Sequence, residues 1–436
     1  MKKTIGKRVL AVLLAAMLLC GGTAPGASAV AAGTMNIGGA TGISLAANTS
    51  GAGWDWDVGS NTLALDAGYT SKAPIRIDCG SGDTINLVYS GDVAVETPSG
   101  TAVECTGSLN VSGSGGTLEI TSLGGSGTNF SFGIHVSKNV AINGGTLKIT
   151  ATYDGIRADN VTINDGTVDI IGDWLRCIYA FNNVTVSGGT LTAEGDCAIG
   201  ASDSITISGG TVRFAGDTAV GSQSQGISAQ NGITISGGTV DIVSSYYGIS
   251  CGTYSGTHDS VTISGGAVNI VSANWSGIYT RHGSITISGG TVDITAADHG
   301  IDACNDAIIS GGSGTINAIG GSDDYGHYGY YFYPRAVCSY SGNAVIGSGM
   351  QVKGWDGSGY TLTAVPGTAD FATYLDDLIR TLVDAATGDA LQNIQFAPAP
   401  DTTEYFTLWG KLTGWKKNPL NWILCILCFG WIWMAF

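Results

Sequence analysis

The chain has 436 residues, with 18 Lys and Arg against 34 Asp and Glu, a net charge of −16 and ten cysteines. An acidic balance of this size argues against nucleic acid as a partner, because that binding rests on cationic neutralisation of phosphates. It also disfavours acidic polysaccharides unless a cation bridges them.

Residues 1–29 read as a secretory signal peptide: MKKTIGKR, an apolar run from Val9 to Cys20, and small residues ending at Ala27, Ser28 and Ala29. Leu18 and Leu19 stand where a lipobox wants a small residue, so Cys20 is not read as a lipidation site. Removing this segment takes four basic residues and no acidic one, which leaves 14 Lys and Arg against 34 acidic residues, a net charge of −20. The seven cysteines between Cys79 and Cys338 show no metal-ligand spacing. They read as small buried apolar fillers rather than disulfides or reactive thiols.

Residues 30–107 read as an N-terminal cap and irregular first coils. GWDWD (53–57), TLALD (62–66), IRID (75–78) and TINLVY (84–89) alternate like short strands between Gly, Asn and Asp turns. From 108 to 320 a repeat takes over. ITISGGTVDI occurs at 233–242 and again, letter for letter, at 285–294, with near copies starting at 109, 140, 161, 184, 205, 261 and 308. Steps between copies run from 21 to 29 residues, the longer ones carrying loop insertions.

Each unit holds three strand-like pieces, such as Gly155–Ala158, Val161–Ile163 and Val168–Ile170, in which apolar and polar residues alternate. No proline falls between Pro98 and Pro334, a run of 235 residues, as an unbroken stack of central strands requires. The expected fold is all-β: a right-handed parallel β-helix, a solenoid with three short strands per coil. Stacked at about 4.8 Å, nine clear coils make a rod roughly 40 Å long. The paired glycines supply positive φ at the corner between second and third strands.

Outward positions stack into stripes. The second strand carries threonine (Thr162, Thr185, Thr206, Thr234, Thr262, Thr286), and the third carries mixed charges from Glu119 through Lys148, Asp169, Thr192, Arg213, Asp241, Asn269 and Asp293 to Asn317. Both read as solvated ladders. The first-strand stripe (Glu104, His135, Arg157, Tyr179, Gly200, Ser228, Ser250, Tyr279, Asp302) has no single chemistry. The corner entering the first strand is richer in rings: Phe130, Phe132, Tyr153, Trp174, Tyr246, Tyr247, Trp275 and His299. Rings aligned one per coil repeat at about the spacing of one pyranose unit and could stack on a polysaccharide. Tyr153, Trp174, Tyr246, Tyr247, Trp275 and His299 are the candidate carbohydrate-binding residues; filling a wide corner of the core is the alternative use for them.

The units GIRADNVTINDGTVDI from 155 and GIDACNDAIISGG from 300 resemble the repeats of a secreted clostridial carbohydrate-binding β-helix family, which is similar to pectate lyases in fold. The resemblance covers about 100–320. It implies binding of cellulose and acidic plant polysaccharides, with calcium held by aspartates at coil corners. Asp154, Asp196 and Asp298 stand near that place, singly where the family commonly has an acidic pair. Two other classes compete: a structural or adhesin-like surface rod, and a polysaccharide lyase or glycoside hydrolase. For the enzyme, Asp323, Asp324, His327 and Arg335 occupy one loop, whereas glycosidase carboxylates come from separate elements flanking the scissile bond. No catalytic residue is assigned.

Residues 321–396 read as a loop and a C-terminal cap, with helical spacing of apolar residues in DFATYLDDLIRTL (370–382) and a strand in ALQNIQF (390–396). A linker at 397–419 precedes LNWILCILCFGWIWMAF (420–436), an apolar segment that reaches roughly 25 Å, barely a bilayer core, and reads as a membrane anchor, with burial in a partner or in the membrane interface as the alternative. The whole is expected to be an exported protein held at the extracellular face of the membrane or cell envelope, with polysaccharide as its partner.

Overall fold

A computed structural model of the chain describes residues 33–124, 130–172, 175–218, 222–252, 259–319, 334–354, 362–370 and 378–399. Trp174, the 320–333 loop, the expected signal peptide and everything from 400 onward, including the apolar segment, lie outside the described residues. The chain divides into two units, Met1–Ala397 and Pro398–Phe436. In the first unit the regular elements, among the described residues, are all strands.

The molecule is a parallel β-solenoid. First strands of three to five residues, such as Ile134–Val136, Ile156–Ala158, Ile178–Ala180 and Cys197–Ala201, stack in register into one ladder, here sheet A. Second and third strands stack into a second ladder, sheet B. Identical positions pair directly, as in Thr234↔Thr262 and Thr262↔Thr286. In several coils the second and third strands are not separate. Asn160–Gly172, Ser260–Ser272 and Ser284–Ala296 each run 13 residues through the corner, which survives only as a register shift at Asp165–Gly166 in the first and at the glycine pair in the other two.

Inward residues are sealed. Ile205, Ile207, Val261, Ile263, Ile285 and Ile287 are fully buried, each lying on its counterpart in the next coil. At about 1.5–3 kcal/mol for each buried aliphatic side chain, these columns are the main source of stability.

The glycine pair does two different jobs. The second glycine adopts positive φ, 77° at Gly238 and 80° at Gly290. The first is needed for space: a Cβ on Gly237 would sit 2.4 Å from the Ser208 carbonyl oxygen of the coil beneath, and one on Gly289 2.2 Å from that of Ser264. The close stacking of one coil corner on another excludes any side chain there.

Antiparallel strands close both ends. Thr34–Ile37 pairs antiparallel with Ile75–Asp78, the first strand of sheet A, and Trp54–Asp57 pairs antiparallel with Thr62–Leu65, the start of sheet B. Trp56 is buried in this cap, its indole N–H donating to the Leu45 carbonyl at 3.1 Å. At the other end, Leu378–Asp384 pairs antiparallel with Val337–Ser339, and Asn393–Pro398 with Ala307–Ala318. These caps remove the open edges that would otherwise recruit another sheet.

Two sequence expectations change here. Leu378–Asp384 is a strand, not the end of a helix, because it pairs residue for residue with Leu362–Asp370. The mixed-charge stripe also ends at Thr315 rather than Asn317, since Asp293 pairs with Thr315 and Gly314 takes the inward place opposite Val292.

Candidate functional site

Sheet A and the corner leading into it carry the chemistry. The outward stripe of sheet A has the register expected: Glu104↔His135↔Arg157↔Tyr179↔Gly200↔Ser228↔Ser250↔Tyr279↔Asp302. Corner and stripe together form two aromatic banks on one face.

The lower bank centres on Arg157. Its guanidinium lies 5.1 Å from the Phe132 ring centroid, 5.1 Å from that of Tyr179 and 4.8 Å from that of Phe181. Cation–π attraction holds the rings and the charge together. Tyr153 stands edge-on to Phe130 at 4.8 Å, and Arg176 lies over Tyr179 at 4.5 Å. Gly200 makes this possible, since a Cβ there would come within 2.5 Å of the Arg176 side chain. Phe130 and Phe181 present open ring surface, at 55% and 42% exposure.

The upper bank is built of tyrosines and a tryptophan. Tyr247 and Tyr279, from successive coils, stack nearly parallel with centroids 4.5 Å apart and planes 8° apart. Trp275 packs against Tyr246 at 4.7 Å and Tyr247 at 5.8 Å, and all three are half-buried. Such contacts fix the rings, leaving little conformational entropy to lose when a ligand stacks on them.

Gly200, Ser228 and Ser250 lie between the banks on three successive coils. Tyr179 and Tyr279 are therefore four coil steps apart, about 19 Å. Gly200 and Ser250 are buried and Ser228 is half-buried, so small residues, little exposed, separate the two sets of rings.

The remaining candidates are placed differently. His299 is fully buried, so its ring has no face to offer. Its Nδ1 accepts the Arg335 backbone N–H at 3.2 Å, and burial lowers its pKa. Asp298 approaches its Nε2 at 3.7 Å. Asp154 is buried and accepts from Arg157 Nη1 at 2.9 Å, whereas Asp196 is exposed. The three aspartates precede the first strands Ile156–Ala158, Cys197–Ala201 and Ile301–Ala303, two and then four coils apart. They are too distant for one ion, and calcium needs several oxygens at once. Among the described residues no three His, Cys, Asp or Glu side chains are grouped to hold a metal, and these aspartates do not fit a shared calcium site.

One group on the stripe was not singled out by sequence. Asp302 points outward in register yet is only 6% exposed. It accepts from Ser276 Oγ at 3.2 Å, and burial, helped by the nearby Asp298 charge, pushes its pKa up to about 8. Tyr179, Arg157, Arg176, Phe181 and Tyr279 were likewise not assigned to the site. The signal for them was present: ring-bearing stripe positions fall on the same or neighbouring coils as ring-bearing corners.

Residues 70–173 match the model of a family described as carbohydrate-binding domain-containing protein. The match supports carbohydrate binding on a β-solenoid. It takes in most of the lower bank, including Tyr153, Asp154 and Arg157, and ends before the upper one. No curated protein and no solved structure matches the chain.

Proposed function

We propose that this chain is an exported, non-catalytic polysaccharide-binding solenoid, and that the glycan lies along sheet A from one aromatic bank to the other. The observation carrying this reading is the pair of pre-packed ring banks on one face, separated by small residues over about 19 Å. That spacing suits four or so pyranose units lying parallel to the solenoid axis, with end units on rings and middle units over the half-buried Ser228. Arg157 is paired with Asp154, Arg176 lies against the Tyr179 ring, and the chain as a whole is acidic, so a neutral plant cell-wall or host glycan is preferred. The leader at 1–29 and the apolar segment at 420–436 fit delivery to the outer face of the membrane.

The test is retention of the purified chain on insoluble cellulose, pectin and mucin, in calcium and in chelator. Binding to a neutral glycan that is unchanged by chelator and by 0.5 M salt, roughly the range where surface charge is screened, is expected. Absence of retention on every glycan would overturn the reading, and release of soluble products from pectin would replace it with a lyase or hydrolase.

A further inference from the structure

Cys79 and Cys105 come together where the N-terminal cap meets the first coils. Ile77 pairs with Cys105 across neighbouring strands of sheet A, and Cys79 follows two residues later. The two sulfurs are 3.9 Å apart. The backbone around them is held: the Thr106 hydroxyl accepts the Cys79 N–H at 2.8 Å and donates to the Cys79 carbonyl at 2.7 Å. Gly107 leaves room for the sulfur, since a Cβ there would fall 2.8 Å from Cys79 Sγ.

Core packing alone does not call for sulfur at Cys105. The same inward column holds Val136 beside Cys105 and farther along Ala158, Ala180, Ala201, Ala229 and Cys251, all buried, so a small apolar residue suffices there. Nor are the two thiols equivalent. Cys105 is 1% exposed and Cys79 8%, so both are buried and Cys79 lies nearer the surface.

We propose that Cys79 and Cys105 form a cross-linking site, which a small-molecule disulfide converts into an inter-coil disulfide fastening the capped first coil to the second. The Cys79 thiolate attacks one sulfur of the reagent, whose S–S bond breaks and releases one thiolate. That thiolate takes the Cys105 proton. The Cys105 thiolate then attacks Cys79 Sγ and expels the second half of the reagent as a thiolate, which takes from solvent the proton that Cys79 gave up. Two cysteines are oxidised and one reagent disulfide is reduced to two thiols. The sulfurs close from 3.9 Å to a bond of about 2.05 Å. The hydrogen bond shared with Cys105, aided by Thr106, lowers the Cys79 pKa, which favours Cys79 as the first attacker. Burial raises the thiols of Cys177 and Cys251 to about 12, which disfavours them as competitors.

The intact chain would be incubated with oxidised glutathione near neutral pH, blocked with N-ethylmaleimide, digested and read by mass spectrometry. The expected product is a peptide pair joining Cys79 to Cys105, lighter by two hydrogens than its reduced parts. In Cys105→Ala, a residue the column accepts elsewhere, Cys79 should instead keep a glutathione adduct, because the resolving thiol is gone. Recovery of both cysteines as maleimide adducts, a persistent glutathione on Cys79 of the unaltered chain, or a link from Cys79 to another cysteine would overturn the proposal.

Discussion

Sheets A and B are built by the same coils yet differ in what they show to solvent. Sheet B presents nearly the same residue coil after coil: threonine from Thr162 to Thr286 in the second strand, with small polar and mixed-charge residues in the third. Lys138–Asp159 and Arg213–Asp241 pair between coils, both at partly exposed positions, which adds little to stability. Sheet A changes at nearly every step, from Arg157 to Tyr179 to Gly200 to Ser228, with only Ser228 repeated, at Ser250. A uniform ladder can only propagate the stack, whereas a varied one can match a ligand along its length. Repetition therefore marks the scaffold, and departure from it marks the face on which the glycan is proposed to lie.

The largest expected effect tests what the sheets share. Ile263→Ala removes an aliphatic side chain from a fully buried column and should cost about 2–5 kcal/mol. Gly238→Ala adds strain at a φ of 77° and a Cβ only 2.5 Å from the Gly210 carbonyl oxygen. Thermal unfolding followed by circular dichroism should show a lowered midpoint for both. An unchanged midpoint would mean that coils do not stack as described.

Next in size are the rings. Tyr279→Ala and Trp275→Ala should each weaken glycan binding by about tenfold, since a stacked ring at a binding centre contributes on the order of 1–2 kcal/mol. Affinity electrophoresis in a glycan-containing gel would read this. Folding should persist, because both residues lie outside the core columns.

Asp302 sets a pH dependence on sheet A. Its carboxyl ordinarily titrates near 3.8 but holds its proton to about 8 in the folded chain. Between those values the folded state binds more protons than the unfolded one, so this group's effect is to lower stability as pH rises from about 4 to about 8, with no further loss above. Asp302→Asn should flatten that slope in denaturation measured at several pH values. A slope identical to that of the parent chain would show that Asp302 is ionised throughout.

The smallest effect is expected on sheet B. Thr234→Ala should change stability by no more than about 0.5 kcal/mol and leave glycan binding as it was.

Much of this contrast was legible in the residues. Alternation and the glycine pairs located the strands and set the register of the stripe from Glu104 to Asp302, because each coil repeats its neighbour's pairing. Where the repeat wears out, reading failed. Gly314 in the inward column displaced the stripe to Thr315, and the Leu378–Asp384 strand obeys a pairing with Leu362–Asp370 that local spacing does not encode. The site was half legible. Tyr153, Tyr246, Tyr247 and Trp275 do stand at the corner, but His299 turns into the protein, and burial of one ring among many is decided by its neighbours. The approach of Cys79 to Cys105 was hidden for the same reason, since the first coils blur the register that would have aligned them.

The most direct test of the central claim is one titration series: the affinity of the full chain, Tyr279→Ala and Thr234→Ala for neutral oligosaccharides of increasing length. Affinity should rise with length until about four or five sugars span the two banks, fall about tenfold for Tyr279→Ala, and stay unchanged for Thr234→Ala. Equal affinities for all three proteins, or a larger loss from Thr234→Ala than from Tyr279→Ala, would place the glycan elsewhere than on sheet A.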